Sequence, residues 1–186
     1  MGFLKRLLSR SEDEDENEEL EMMEEKPDER EEEELDFQFD NSEETKNITE
    51  FCMNLARNLD AKAVGGREIE NLTEVEKNFY LTSIFEGEVM NDGVYSFYYG
   101  YYGKFVYDLE AAFRAIGSEE GAGICKRAVE AFGTDDISLA ETDRQAQMDD
   151  MEDEDLEADL KMCEDDFFRI VDDLMPLRYK YYMENQ

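Results

Sequence analysis

The stretch Asp108–Gly133, DLEAAFRAIGSEEGAGICKRAVEAFG, decides the fold class. Leu109, Ala112, Phe113 and Ile116 recur at steps of three and four, the spacing that gathers side chains on one face of an α-helix, and Gly117 supplies a stop. Ser118 is a cap for a second helix whose apolar positions are Ile124, Ala128, Val129 and Phe132, closed by Gly133. Two short helices separated by a glycine stop and a serine cap predict an αα-hairpin.

The same period continues on both sides. Upstream, Thr73 with Glu76 three residues on is a capping box. The apolar positions behind it, Val75, Phe79, Leu81, Ile84, Phe85 and Val89, cover more than one helical face, which predicts a central buried helix ending at the turn signal Asn91-Asp92-Gly93. Further upstream Phe51, Leu55 and Leu59 predict a helix capped by Asn47 or Thr49 and ended by Gly65-Gly66. Downstream, Leu156, Leu160, Cys163, Phe167, Ile170, Val171 and Leu174 form one apolar stripe, with the other face a wall of Asp and Glu. Pro176 interrupts that pattern ahead of a short final helix over LRYKYYMENQ. No stretch alternates apolar and polar between paired turn signals, so residues 47–186 read as an all-α, single compact multi-helix domain.

Charge divides the chain differently. The 186 residues carry 52 acidic and 19 basic groups, a formal charge of -33. Residues 1–10, MGFLKRLLSR, are a basic leader without acids, whereas 11–46 hold 20 acids against 3 bases in a low-complexity run. That run has too little apolar surface to offset the entropy of ordering it, so residues 1–46 read as a disordered tail that solubilises the protein or engages a basic partner. Leu35, Phe37 and Phe39 are its apolar exceptions. Residues 134–166 concentrate a further 15 acids against 2 bases. A chain this acidic lacks the Lys and Arg with which a nucleic-acid binder displaces counterions, so direct nucleic-acid contact is not expected.

Composition narrows the chemistry as well. Histidine is absent, which removes Ser-His-Asp and Cys-His nucleophile systems and His-ligated zinc. Cys52, Cys125 and Cys163 are far apart and odd in number, the pattern of buried thiols in a reducing cytoplasm rather than of a disulfide framework or zinc knuckle. No apolar run approaches the roughly 20 residues of a membrane span, and the leader has neither the long apolar region nor the cleavage site of a secretory signal. The expectation is a non-enzymatic, cytoplasmic protein with no cofactor and no metal.

The densest acidic segment, DDMEDEDLEADL, places Asp149, Asp150, Glu152, Asp153, Asp155, Glu157 and Asp159 in eleven positions of helical sequence. Carboxylates at i,i+4 on one helix face repel by a few tenths of a kcal/mol per pair, so a cationic partner would relieve them. Asp153, Asp155, Glu157 and Glu164 fall at EF-hand positions, but Ala158 stands where the loop needs Gly and Lys161 would face the ion. An uninterrupted helix explains the segment better than a calcium loop does.

The most unusual string is GEVMNDGVYSFYYGYYGKFVYDLE, Gly87–Glu110, with six tyrosines and two phenylalanines. Stacking platforms for bases sit in basic grooves, so these aromatics read as core or protein contact. The string resembles the signature of the bacterial DNA-mimic protein nineteen family, approximately E-V-x-N-G-G-F-x-Q-F-F-x-N-x-x-G. Glu88, Val89, Asn91, Gly93, Phe97 and Gly103 fall on matching positions and Tyr98 replaces an aromatic. Asp92 stands for Gly, Val94 for Phe, Ser96 for Gln and Gly100 for Asn. AAFRAIGS resembles the family's next segment, so the likeness covers roughly residues 70–135. It implies an all-helical, dimeric fold whose namesake presents acids in a DNA-like pattern to a transcription factor.

Two readings follow. In the first, the seven acids from Asp149 to Asp159 occupy the cationic surface of a basic protein, such as a DNA-binding transcription regulator. In the second, an interaction protein binds through the Tyr-rich segment and the acids serve solubility alone.

Overall fold

The structure, a computed structural model, describes residues 43–133, 136–151 and 153–186. The basic leader, the acidic run up to residue 42 and the apolar triplet Leu35, Phe37 and Phe39 lie outside the described residues, as does Glu152. Among the described residues there are six α-helices and no strand: α1 (Glu43–Lys62), α2 (Glu74–Tyr99), α3 (Val106–Ala115), α4 (Glu119–Glu130), α5 (Glu141–Asp150) and α6 (Asp153–Asn185). Short 3-10 turns at Ile69–Asn71 and Tyr101–Phe105 precede α2 and α3.

The hairpin expected from Asp108–Gly133 is α3 and α4. Ser118 caps α4 by accepting the Gly121 N–H at 3.2 Å, and Gly117 and Gly133 both take the left-handed conformation at the helix ends. The Thr73–Glu76 capping box is complete: the Thr73 hydroxyl accepts the Glu76 N–H, and the Glu76 carboxylate accepts the Thr73 N–H at 2.8 Å. Burial pushes the Glu76 carboxyl up, but hydrogen bonds from Lys62 and Thr73 outweigh it and hold the group below its ordinary pKa.

α2 is the central element, and α6 runs antiparallel beside it. Val94 of α2 meets Glu164 of α6, Thr82 meets Arg178, and Asn78 meets Tyr181, which fixes the register of the pair. The main core gathers Leu81, Phe85, Val89, Phe97 and Tyr98 of α2 with Leu109 and Phe113 of α3, Ile124 and Cys125 of α4, Met148 of α5, and Leu156, Leu160 and Phe167 of α6. At its centre the Phe85 ring meets Phe97, Phe113 and Phe167 edge-on at centroid distances of 4.8–5.6 Å. Each such pair contributes about 0.5–1.5 kcal/mol beyond the area it buries. A second, smaller cluster holds α1: Cys52, Leu59 and Ala63 pack with Leu72, Phe79 and Tyr80, flanked by Met175, Tyr179 and Tyr182 of α6.

Three boundaries differ from the sequence reading. α1 begins at Glu43, ahead of Asn47 and inside the acidic run, where Glu43 and Glu44 sit favourably at the positive end of the helix dipole. Thr49 is not a cap, since its hydroxyl donates back to the Thr45 carbonyl at 2.9 Å. α2 does not end at Asn91-Asp92-Gly93; it kinks there and continues to Tyr99. Pro176 does not end α6; Pro176 and Asp172, whose carbonyl loses its N–H donor, are both exposed, so that carbonyl is not sealed in the core.

Candidate acidic interaction surface

The surface is built where the far end of α2, the C-terminus of α5 and the first turns of α6 meet. Gly93 makes the α2 kink with φ 85° and ψ 169°, a conformation costly to any residue with a Cβ. The helix restarts at Val94, whose N–H is accepted at 3.0 Å by the Glu164 carboxylate, so a side chain from α6 caps the second half of α2. A Cβ on Gly93 would run into that same carboxylate oxygen. The other oxygen of Glu164 accepts from Lys161 at 2.5 Å, and Lys161 also reaches Asp165 at 2.9 Å.

α5 is locked to the end of α2 by Arg144, whose residue exposure is 0%. Its guanidinium donates to three backbone carbonyls: Nε to Tyr98 at 2.5 Å, Nη2 to Gly100 at 2.6 Å and Nη1 to Ser138 at 2.9 Å. Gln145 donates to the Tyr99 carbonyl at 3.1 Å. The last carbonyls of α2, which have no partner within their own helix, are thus satisfied by α5, and a buried cation sits at the negative end of the α2 dipole. Burial lowers the Arg144 pKa and Glu141 opposes that shift. A guanidinium nevertheless stays charged in proteins. Gly103 leaves room for the arrangement, since a Cβ there would strike the Tyr98 carbonyl and the Arg144 guanidinium. The connection into α5 is pinned by the Ile137 N–H donating to the Tyr107 hydroxyl, and by the Ser138 N–H donating to Gln147 at 3.1 Å.

The predicted acids do not form one helical face. α5 ends at Asp150, Met151 is extended and half-buried against the main core, and α6 begins at Asp153. This break removes the i,i+4 stacking of Asp149 on Asp153 that a continuous helix would impose. Asp149 and Asp150 are exposed at the end of α5; of Asp153 and Asp155 the structure gives the helical backbone. Glu157 and Asp159 are exposed on α6 but separated by about 200° of helical turn. Glu157 lines an open cleft of about 710 Å3 with Asp92, Tyr95, Ser96, Lys161 and Glu164. Asp159 lines a recess of about 420 Å3 on the other side, with Arg127, Glu130 and Asp166. Among the described residues Asp149, Asp150, Glu157 and Asp159 have no ion pair. Asp166, by contrast, is held between Arg127 at 2.5 Å and Arg169 at 2.6 Å, and Asp108 by Lys77 at 2.7 Å.

The other predicted residues divide between surface and interior. Asn91 is exposed, while Glu88 is half-buried, with its carboxyl pushed up by burial and then by Asp92. Phe97 and Tyr98 are core residues. Of the Tyr-rich string, Tyr95 stacks on Tyr99 at 6.0 Å, Tyr101 accepts from Lys104 at 2.6 Å, Tyr102 lies along Phe105, and Tyr107 is the most exposed at 45%. The string therefore builds the α2 end and its turn. Sequence reasoning missed Arg144 and Glu164. The available signal for Arg144 was that it is the sole base between Thr134 and Leu160, four residues before Met148 on the same helical face.

Residues 70–186, from the 3-10 turn before α2 to the chain's end, match the family model described as DMP19-like protein. The chain belongs to the DMP19-like family. Comparison with curated proteins and with solved structures gives no match. The motif that carried the resemblance is now explained by position: Gly93 is the kink, Gly103 makes room for the Arg144 clamp, and Phe97 and Tyr98 anchor the helix end to the core. α1 lies outside the residues that the family model matches. Among the described residues no helix is long and apolar enough to cross a membrane, and no three His, Cys, Asp or Glu side chains are grouped to hold a metal ion.

Proposed function

We propose that this DMP19-like protein is a non-enzymatic binding module that presents carboxylates to the cationic surface of a basic protein, in the manner of a DNA mimic facing a DNA-binding regulator. The observation that carries this reading is the contrast in pairing. Among the described residues Asp149, Asp150, Glu157 and Asp159 are exposed and form no ion pair around the α5–α6 corner, whereas Asp108, Glu164 and Asp166 have Lys or Arg partners. The corner is also rigidly mounted, by Arg144 on the α2 carbonyls and by Glu164 on the α2 kink. Carboxylates held in fixed positions attract a basic groove without first having to be ordered, and duplex DNA offers such a groove one charge per about 1.7 Å of axis. Because the acids lie on both sides of α6, the partner surface would straddle that helix rather than lie along one row.

The test is affinity capture from lysate with the full chain and with the Asp149→Asn, Asp150→Asn, Glu157→Gln, Asp159→Asn variant, each at low and high salt. The expected result is recovery of basic proteins at low salt by the native chain, with steep loss at high salt, since exposed charges are screened over about 8 Å at physiological ionic strength. Recovery that is insensitive to salt, or equal from the neutralised variant, sinks the reading.

A further inference from the structure

We infer that α1 is an exchangeable element: the groove between α2 and α6 that receives it takes, in a dimer, the α1 of a second copy of this chain. The inference is independent of the partner proposed above.

The main core is closed without α1. None of its buried residues comes from Glu43–Lys62, and α1 is held by the separate cluster around Phe79, Tyr80 and Leu72. The groove is shaped for a helix with an aromatic edge: Phe51 meets Tyr179 edge-on at 5.3 Å and Tyr182 at 6.0 Å, and Tyr182 in turn meets Phe79 at 5.8 Å. The polar contacts follow the same pattern. The Cys52 thiol donates to the Met175 carbonyl at 3.9 Å, the Tyr80 hydroxyl donates to Asp60 at 2.7 Å, and Lys62 pairs with Glu76 at 2.6 Å. A second chain's α1 can re-form each of these contacts, since all of them end on α2 or α6.

The joint carries the strain that favours exchange. α1 ends in a Schellman turn, with the Gly65 N–H donating to the Asp60 carbonyl at 2.9 Å and the Val64 N–H to Ala61 at 3.3 Å. The residue forced into the left-handed conformation is Val64, with φ 51°, not a glycine. A β-branched residue there is a steric outlier. Val64 is 42% exposed, so burial gives little back. Beyond it the chain is anchored: Lys104 donates to the Gly66 carbonyl at 2.7 Å, and Ile69 packs against both clusters. Opening at Val64 into extended backbone therefore swings α1 as a unit while α2 onward stays in place. In an exchanged pair the strain is relieved at two joints and the α1 contacts on α2 and α6 are kept; what is given up is the turn itself, the Gly65 and Val64 N–H bonds to Asp60 and Ala61 and the Glu68 N–H bond to Ala63.

The experiment uses the full chain. Sedimentation across a range of concentrations is expected to give a monomer–dimer equilibrium, and Val64→Gly is expected to raise the dimer's dissociation constant by at least about tenfold, because glycine makes the closed turn cheap. In the Met175→Cys variant, oxidation joins Cys52 to position 175, with loss of two free thiols marking the bond. The dimer fraction then runs at double mass on a non-reducing denaturing gel, and the monomer fraction at single mass. A dimer fraction whose oxidised form runs at single mass overturns the inference, since each α1 then sits on its own α6. A native chain that stays monomeric throughout overturns it too, and so does an unmoved constant in Val64→Gly, which needs no engineered bond.

Discussion

The far end and the middle of α2 are each held by a buried arginine, and the two are accommodated in different ways. At the far end, Arg144 of α5 forms no ion pair among the described residues and spends its donors on the carbonyls of Tyr98, Gly100 and Ser138. In the middle, Arg178 of α6, with a side chain 4% exposed, pairs with Glu86 and donates to the Thr82 carbonyl at 3.3 Å. The first cation is neutralised by partial charges that already belong to the backbone. The second required another ionised group to be taken out of water with it. An ion pair can be exchanged as a unit for apolar side chains at little cost, because both charges leave together. A clamp on carbonyls has no such exchange, since its acceptors cannot be mutated away.

This difference is open to measurement by equilibrium denaturation. Arg144→Met should cost the most, about 4–5 kcal/mol, because it removes three charge-assisted hydrogen bonds, the one to the Tyr98 carbonyl buried and those to Gly100 and Ser138 partly buried, and no second substitution on α2 should restore the loss. Arg178→Met alone should cost about 3 kcal/mol by leaving Glu86 uncompensated, while Arg178→Met with Glu86→Gln should return to within about 1 kcal/mol of the native chain. Equal rescue at both sites, or at neither, breaks the contrast. Gly93→Ala tests the other fixing of the far end; left-handed strain together with displacement of the Glu164 cap should cost about 2 kcal/mol.

Beside Arg178, burial pushes the Cys52 thiol of α1 up to about 11, with Arg178 opposing and Glu86 adding. The unfolded chain releases that proton near the ordinary value of roughly 8.5. Between the two values the folded form holds more protons, so stability falls as pH rises, by at most about 1.4 kcal/mol per pH unit from this thiol. Cys52→Ala should flatten the curve by that share, and unfolding midpoints compared from pH 8 to 11 measure it. The smallest effect is favourable: Val64→Gly should stabilise the monomer by about 0.5–1 kcal/mol, the left-handed strain less the entropy of glycine.

Local signals in the sequence were read well where the structure uses them locally. Ser118, Gly117, Gly133 and the Thr73–Glu76 box each act within one helical turn, and the helices they bound are where the spacing put them. Gly93 was read as a stop because a stop and a kink carry the same signal; what decides between them is Glu164, seventy positions away. Pro176 misled for a related reason, since whether a proline ends a helix or is carried within it depends on where it faces, and Pro176 faces outward. The family motif pointed to the right segment and to an all-helical fold, but its glycines gave no hint that an arginine lies against one of them. Arg144 sits in ETDRQAQM, a string that reads as solvated surface, and its burial depends on the end of a helix far off in sequence. The acidic ridge failed as a single row because Met151 turns toward the core, a packing choice that charge spacing alone does not encode.

Every amino acid carries the same carbonyl, so a fastener that grips only carbonyls is blind to the identity of what it holds. A helix must still finish there and Gly103 must leave the gap open, and Tyr98 keeps its own place in the core, but the clamp reads none of the side chains whose carbonyls it takes. Departures such as Ser96 and Gly100 from the family's Gln and Asn are then the latitude such a joint allows, and mutation is free to remodel the wall of the cleft while the carboxylates opposite keep their places.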